Sequence, residues 1–445
     1  MALFRHPCSR LFPRPAAAAL LLMEQRINRV LRHMAPSSPS TRWNLCAEPP
    51  PRHVVIVGAT GVVGRAAVEQ FCQAGWACTM VSRRPPAYPA PDNAVHLPLD
   101  LTDRDVCQAA LSQLVDVTHL IYTALAGVNI SDPAEIATNT DMLRNALLPL
   151  ESMPSLAHVS ILQGRKAYAA YDPDEMLWPL KESQPRQETP SWYWTQEDLL
   201  KERRTAAADP HWTWTIWRPP TVLGFVPGAP LSMITAIGVF AAVSRELGKP
   251  LRFPGGPPLV KQLVDSRVLA RALMWATTEA EAGVGAAADQ TFNVANGDVF
   301  LWEACFPAIA HCFEGLSIGE PRPSTLADDM PQHAEMWAQM ACKYGLQEPD
   351  MARLVGNSWS FTDVNLQGLE GLTTAAARDS ALAKRNAALG DATETESSAS
   401  PGLIIAGQLM SMAKLQESGF NNGCDTEEAV VGWIKQMQAE GFLPR

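Results

Sequence analysis

The sequence predicts an α/β protein built on a doubly wound, mainly parallel sheet, with a smaller C-terminal lobe. Two observations carry that prediction. Residues 53–64 read His-Val-Val-Ile-Val-Gly-Ala-Thr-Gly-Val-Val-Gly, an apolar β-branched run that breaks into three glycines, and a helical pattern follows over 65–74. Beyond them, short apolar runs alternate with helical patterns through about residue 220, the rhythm of βαβ units whose strands lie parallel.

The first unit has the order strand, Gly-rich turn, helix, which opens a dinucleotide-binding Rossmann sheet. Gly58 allows the tight turn, Gly61 lets the backbone approach a pyrophosphate, and Gly64 lets the helix lie close to the strand. Around Thr60, Val62 and Val63 the helix start offers N–H groups to phosphate.

A second strand, 77–81, ends in Ser82-Arg83-Arg84. A site built for NAD places Asp or Glu here to accept from the ribose 2′-hydroxyl. Two arginines pair instead with a 2′-phosphate, so the expected cofactor is NADPH. The plainer alternative is two solvated arginines at a strand end.

The third strand, 94–99, runs into Asp100-Leu101-Thr102-Asp103. Asp100 is placed to accept from the adenine amino group, with Leu101 beside it, and Thr102 or Asp103 can cap the next helix. The strand at 119–123 leads into Ala124-Leu125-Ala126-Gly127, small residues that leave room for a cofactor. A helix is expected over 133–148 and a strand over 157–162, which runs into Gln163-Gly164-Arg165-Lys166. A loop rich in Asp, Pro and Glu covers 171–196 and closes with Trp192-Tyr193-Trp194, after which Glu197-Asp198 opens a helix. The strand 212–217 leads into Arg218-Pro219-Pro220-Thr221-Val222. Gln163 and Val222 complete the expected cofactor wall.

Residues 52–225 are therefore read as the nucleotide-binding domain and 226–445 as a substrate lobe that completes the fold. A low-complexity insertion is expected at about 375–402, followed by a return to an amphipathic helical pattern. Residues 1–50 are Arg- and Ala-rich with few acids. They read as an organellar transit peptide, or as a disordered tail or an overextended start with Met34 as the true first residue. The location is cytoplasmic, or mitochondrial or plastid if the extension is a transit peptide.

The chain of 445 residues carries 36 basic and 46 acidic side chains, a net charge of −10. That balance argues against nucleic acid as partner. Nine scattered cysteines form no Cys-x-x-Cys pair, so neither a zinc site nor a redox pair is expected. No 18-residue apolar run predicts a membrane span. The expected partner is a small molecule, and a homodimer is left open.

A nicotinamide cofactor implies hydride transfer, and the protein must stabilise the oxygen on which charge develops. Short-chain dehydrogenases usually supply Tyr-x-x-x-Lys on one helix. None of the six tyrosines has Lys four residues on, and Tyr193 is followed at that position by Glu197. Tyr and Lys must then meet from different elements, and the candidates are Tyr193 at a helix start and Lys166 past a strand end.

Taken together, Gly-Ala-Thr-Gly-Val-Val-Gly (58–64), Ser-Arg-Arg-Pro (82–85), Asp-Leu-Thr-Asp (100–103), Gln-Gly-Arg-Lys-Ala-Tyr (163–168), Trp-Tyr-Trp-Thr-Gln-Glu-Asp (192–198) and Arg-Pro-Pro-Thr-Val-Leu-Gly-Phe (218–225) resemble the progesterone 5β-reductase/iridoid synthase family. That family consists of divergent NADPH-dependent short-chain reductases of enone C=C bonds. The resemblance implies that Lys166 and Tyr193 are the catalytic pair, in a 1,4-reduction that Tyr193 assists by hydrogen-bonding the nascent enolate. Trp192 and Trp194 stand where the family motif has Phe and Tyr. Ala124-Leu125 replaces Thr-Trp of plant members, and Gln163 replaces Thr. The competing readings are a non-catalytic NADP-sensing regulator and a ketone reductase or epimerase on the same fold.

Overall fold

The structure is a computed structural model that describes residues 52–168, 179–186, 188–206, 211–255, 259–281, 285–367, 405–406 and 409–445. The extension at 1–50 and the insertion at 375–402 lie outside the described residues.

The chain opens with β1 (His53–Val57), α1 (Val62–Gln73), β2 (Ala77–Ser82), β3 (Ala94–Pro98), α2 (Arg104–Leu111), β4 (His119–Tyr122), α3 (Pro133–Glu151) and β5 (His158–Leu162). A 3₁₀ turn at Arg165–Tyr168 precedes α4 (Trp192–Ala206), β6 (Thr213–Arg218), β7 (Thr221–Leu223) and α5 (Met233–Glu246). Then follow β8 (Leu259–Lys261), β9 (Leu263–Asp265), α6 (Ser266–Glu281) and β10 (Gln290–Asn293). Seven strands pair in parallel in the order β10-β6-β5-β4-β1-β2-β3. From β1 the chain winds outward to β2 and β3, then returns to place β4 on the other side of β1. The crevice between the carboxyl ends of β1 and β4 is the switch point at which such sheets bind ligands.

Each sheet face is covered, which is why the strands read as almost continuous apolar runs. Val55 and Val57 of β1 enter a core with Leu143, Leu147 and Leu150 of α3 and Leu199 and Leu200 of α4. Val54 and Ile56 enter the opposite core, with Val68 and Phe71 of α1 and Leu269 and Leu273 of α6. The alternation of a pleated strand thus divides one run between two hydrophobic layers.

The seventh strand comes from far along the chain. β10 pairs with β6 beyond residue 225, so the segment read as completing the fold supplies a strand and, through α6, a covering helix. The remaining elements are β11 (Phe300–Leu301), α7 (Trp302–His311), α8 (Leu326–Asp329), α9 (Ala334–Tyr344), α10 (Met351–Val355), α11 (Ser358–Leu366), β12 (Ile405–Ala406), α12 (Ala413–Glu417) and α13 (Thr426–Ala439). Several of these helices pack around α5 in a third core that includes Trp302, Trp337, Leu354 and Trp433. Arg65 of α1 anchors this lobe to the sheet: it is buried, donates to the Phe225 carbonyl and pairs with Glu440 at 3.0 Å. Among the described residues no helix is long and apolar enough to cross a membrane.

Candidate functional site

The Gly-rich turn has the geometry that its sequence implies. Gly58 sits at φ +84°, and a Cβ there would lie 2.6 Å from Thr123 Oγ1 and 2.8 Å from the Ala124 nitrogen. The turn after β1 is therefore pressed directly against the end of β4. Gly64 is needed for a different reason: its Cβ would fall 2.2 Å from the Gly58 carbonyl oxygen, so only hydrogen lets α1 approach the turn.

The start of α1 is chemically unlike its neighbours. Asp103 caps α2 by accepting from Val106, and Asp132 caps α3 by accepting from Ala134 and Glu135. At α1 the capping position is Gly61, with no side-chain cap and no acid in the first turn. The first helical bond runs from Arg65 N–H to the Gly61 carbonyl, so the N–H groups of Val62, Val63 and Gly64 precede it. A positive helix end kept clear of carboxylates is suited to a phosphate group.

At the end of β2, the Ser82 hydroxyl donates to the Arg84 carbonyl at 2.8 Å and meets His96 Nε2 at 2.9 Å, which orders the segment carrying two exposed arginines, Arg83 and Arg84. The Asp100 carboxyl is held below its usual range by hydrogen bonds from the Thr102 N–H and hydroxyl, aided by the charge of Arg83. Leu101 is buried in the core and its carbonyl accepts from Asn145, so its side chain faces away from solvent.

The segment after β4 is clamped by buried Asn139 of α3. Its amide accepts from the Ala126 N–H at 2.8 Å and donates to the Ala126 carbonyl at 2.7 Å. Ala124 is partly buried, whereas Leu125 is 52% exposed beside the switch point. Val222 is partly buried against the core that also contains β1.

Tyr193 lies in the first turn of α4, which begins at Trp192 rather than at Glu197-Asp198. Ser191 organises that turn, its hydroxyl accepting from Tyr193 N–H and its carbonyl from Trp194 N–H. Trp192 N–H reaches back to the Ile130 carbonyl at 3.1 Å, tying α4 to the segment after β4. The Tyr193 hydroxyl then comes to rest on Gly164: a Cβ at that residue would lie 2.9 Å from the hydroxyl oxygen. Gly164 is two residues before Lys166, which is exposed on the 3₁₀ turn. The two elements that carry Tyr193 and Lys166 thus meet at the carboxyl edge of the sheet.

Beneath that meeting point lies a buried polar linkage. Gln163 donates from Nε2 to the Tyr193 carbonyl at 3.0 Å and to Glu197 Oε2 at 3.1 Å, and its Oε1 accepts from Arg218 Nε at 2.9 Å. Its side-chain amide is fully engaged within the protein. Glu197 also pairs with Lys201 at 2.6 Å, Arg186 at 2.8 Å and Arg218 at 3.3 Å. Burial pushes its carboxyl up, but the bonds from Lys201 and Arg186 and the charge of Arg218 prevail and hold it at about 2. Arg218 also faces the Tyr168 ring at 4.9 Å and the Trp194 ring at 5.5 Å. Burial pushes the Tyr168 phenol up to about 12, and its hydroxyl donates to Asn293 Oδ1 at 2.6 Å.

In the sequence Glu197 reads only as a helix opener and Arg218 only as the residue after a strand, so the linkage is not visible in either residue alone. Its signal was the spacing between Tyr193 and Glu197, which is four residues and hence one helical turn.

Comparison with known proteins agrees with the motif resemblance. An (S)-8-oxocitronellyl enol synthase from Nepeta racemosa is 30% identical over 329 residues, 70% of this chain and 82% of its own. A 3-oxo-Δ4,5-steroid 5β-reductase from Arabidopsis thaliana is 29% identical over 411 residues, 88% of this chain and 92% of its own. The Bordetella bronchiseptica enzyme WbmG, solved with NAD and UDP, shares the fold with a TM-score of 0.52 and 12% identity, over 88% of this chain and 95% of its own. Residues 102–358, more than half of the chain, match the PRISE-like Rossmann-fold domain, and the chain belongs to that family.

Proposed function

We propose that this protein is an NADPH-dependent reductase of the C=C bond of α,β-unsaturated carbonyl compounds. The observation that carries the reading is the contact of the Tyr193 hydroxyl with Gly164, which joins the Tyr193 helix to the turn bearing Lys166 beside the switch point. One relative is named as a Δ4,5-steroid 5β-reductase and another as an enol synthase, and both names fit chemistry on a conjugated carbonyl.

The residues present fit the cofactor. The turn at Gly58–Gly64 is a cradle that a Cβ would fill, the start of α1 is free of acids, and Arg83 and Arg84 are exposed at the end of β2. Thr60, Gly61, Val62, Val63 and Gly64 would hold the pyrophosphate. Ser82, Arg83 and Arg84 would take the 2′-phosphate, and Asp100 with the Leu101 backbone would border the adenine. Ala124, Leu125, Gln163 and Val222 would wall the inner part of the crevice.

When bound, the reduced dinucleotide supplies a hydride for the β-carbon. Tyr193 donates a hydrogen bond to the carbonyl oxygen and strengthens it as negative charge grows there. Lys166 stabilises that charge with its ammonium and would hold the cofactor ribose. The lobe beyond β7 would supply the wall against which the remainder of the substrate packs, and exposed Leu125 favours an apolar one. A proton, for which no side chain is assigned, completes the α-carbon.

The test is turnover of small enones, such as 2-cyclohexen-1-one, by the purified protein with NADPH. NADPH consumption with formation of the saturated ketone supports the proposal. Tight NADPH binding without turnover of any enone sinks it in favour of a nucleotide-sensing regulator.

A further inference from the structure

We propose that Glu197 is a positioning residue that fixes the turn carrying Lys166 against the helix carrying Tyr193, acting through Gln163. The proposal rests on the roles assigned above to Tyr193 and Lys166 and names the group that sets their spacing.

The geometry leaves the linkage little freedom. Tyr193 and Glu197 stand four residues apart on α4, so they share a face of the helix. Arg218 has only donors to offer, so the Gln163 oxygen must face it. The Gln163 NH₂ group then meets two acceptors, the Tyr193 carbonyl and the Glu197 carboxylate. Reversing the amide would set an oxygen against both, so one orientation is selected. Glu197, Gln163 and Arg218 thereby close a ring of three hydrogen bonds. The ring spans the strand end, the turn at 163–166 and the helix start.

Burial makes the ring stiff. The Glu197 and Arg218 side chains are 5% and 6% exposed, so water does not replace a broken bond cheaply. The carboxylate cannot be removed without cost, because three cations converge on it. It stays ionised throughout the neutral range. The position four residues after the tyrosine, where the usual short-chain motif has Lys, here carries an inward-facing acid. The catalytic cation is supplied from another element, and the acid holds that element in place.

The test uses the full chain with NADPH and 2-cyclohexen-1-one, together with an ultraviolet difference titration of the Tyr193 phenol in the cofactor-free protein. The Tyr193→Phe variant identifies that phenol among the six tyrosines. Glu197→Gln leaves three cations without their anion on the helix that carries Tyr193, so the phenol should titrate at lower pH. Its kcat should fall by about tenfold to a hundredfold while KM for NADPH stays within about threefold. Glu197→Asp keeps the charge but shortens the reach, so it should lose kcat while leaving the titration near wild type.

A folded Glu197→Gln protein with wild-type kcat and an unmoved phenol titration overturns the proposal. Should Glu197→Gln fail to fold, Gln163→Met cuts the linkage while leaving Arg218 paired with Glu197, and an unchanged kcat there overturns it equally. Full turnover by Tyr193→Phe removes the role of Tyr193 and this proposal with it. An inactive Tyr193→Phe beside a wild-type Glu197→Gln removes only the positioning role.

Discussion

The hydroxyl of Tyr193 occupies the space into which a side chain at Gly164 would grow, 2.9 Å from the position of that Cβ. Gly164→Ala should therefore push the phenol away from its seat. Misplacement of a catalytic group by a fraction of an ångström to an ångström costs up to about a hundredfold in rate. The expected result is a kcat loss of that order with NADPH affinity nearly unchanged, read by steady-state kinetics and fluorescence titration of NADPH.

On the proposed function, Tyr193→Phe deletes the hydroxyl that would donate to the developing oxyanion, while the ring stays packed edge-on against Trp192. Removing one such donor lowers kcat by about a hundredfold to a thousandfold. Thermal stability should change little, because the side chain is only partly buried.

On the proposed function, Arg83 and Arg84 would decide between the two dinucleotides. Each charged hydrogen bond to a 2′-phosphate contributes about 1.5–3 kcal/mol, so Arg83→Ala and Arg84→Ala should each weaken NADPH binding by about tenfold or more. NADH lacks that phosphate, so its affinity should hardly move. Equal losses for both nucleotides, measured by titration calorimetry, would remove these arginines from cofactor choice.

Two buried histidines at the other end of the sheet set an acid limit on stability. Burial holds His158 down at about 3, and burial, with His158 and Arg52 as neighbours, holds His119 well below its usual range. Both are neutral in the folded protein and protonate more readily when unfolded, near pH 6.5. Their contribution is complete above that pH and is lost as the pH falls, by about 1.4 kcal/mol per pH unit for each histidine. Urea unfolding between pH 7.5 and 5 should show this slope, and His158→Gln should lower it by about 1.4 kcal/mol per pH unit.

Much of the fold was legible because the physics is local. The run at 53–64 declares strand, turn and helix through β-branched residues, glycines and periodicity, and β1 and α1 follow it. The capping acids Asp103 and Asp132 mark the starts of α2 and α3 in the same local way. Less legible was β10, only four residues long, which pairs with β6 from more than 70 residues away. The start of α4 was misread for a related reason. Trp192, Tyr193 and Trp194 have indifferent helix propensity, and it is tertiary contact that draws them into the first turn, through Ile130 and Gln163. Once that turn is helical, Glu197 falls beneath Tyr193, a relation that no loop reading of 192–196 could have revealed.

The most direct test of 1,4-reduction follows one atom. NADPH carrying deuterium at the transferable C4 position is incubated with the protein and 2-cyclohexen-1-one, and the product is examined by NMR. 1,4-Reduction yields a saturated ketone with deuterium on the former β-carbon. Deuterium on the carbonyl carbon of an allylic alcohol would contradict it.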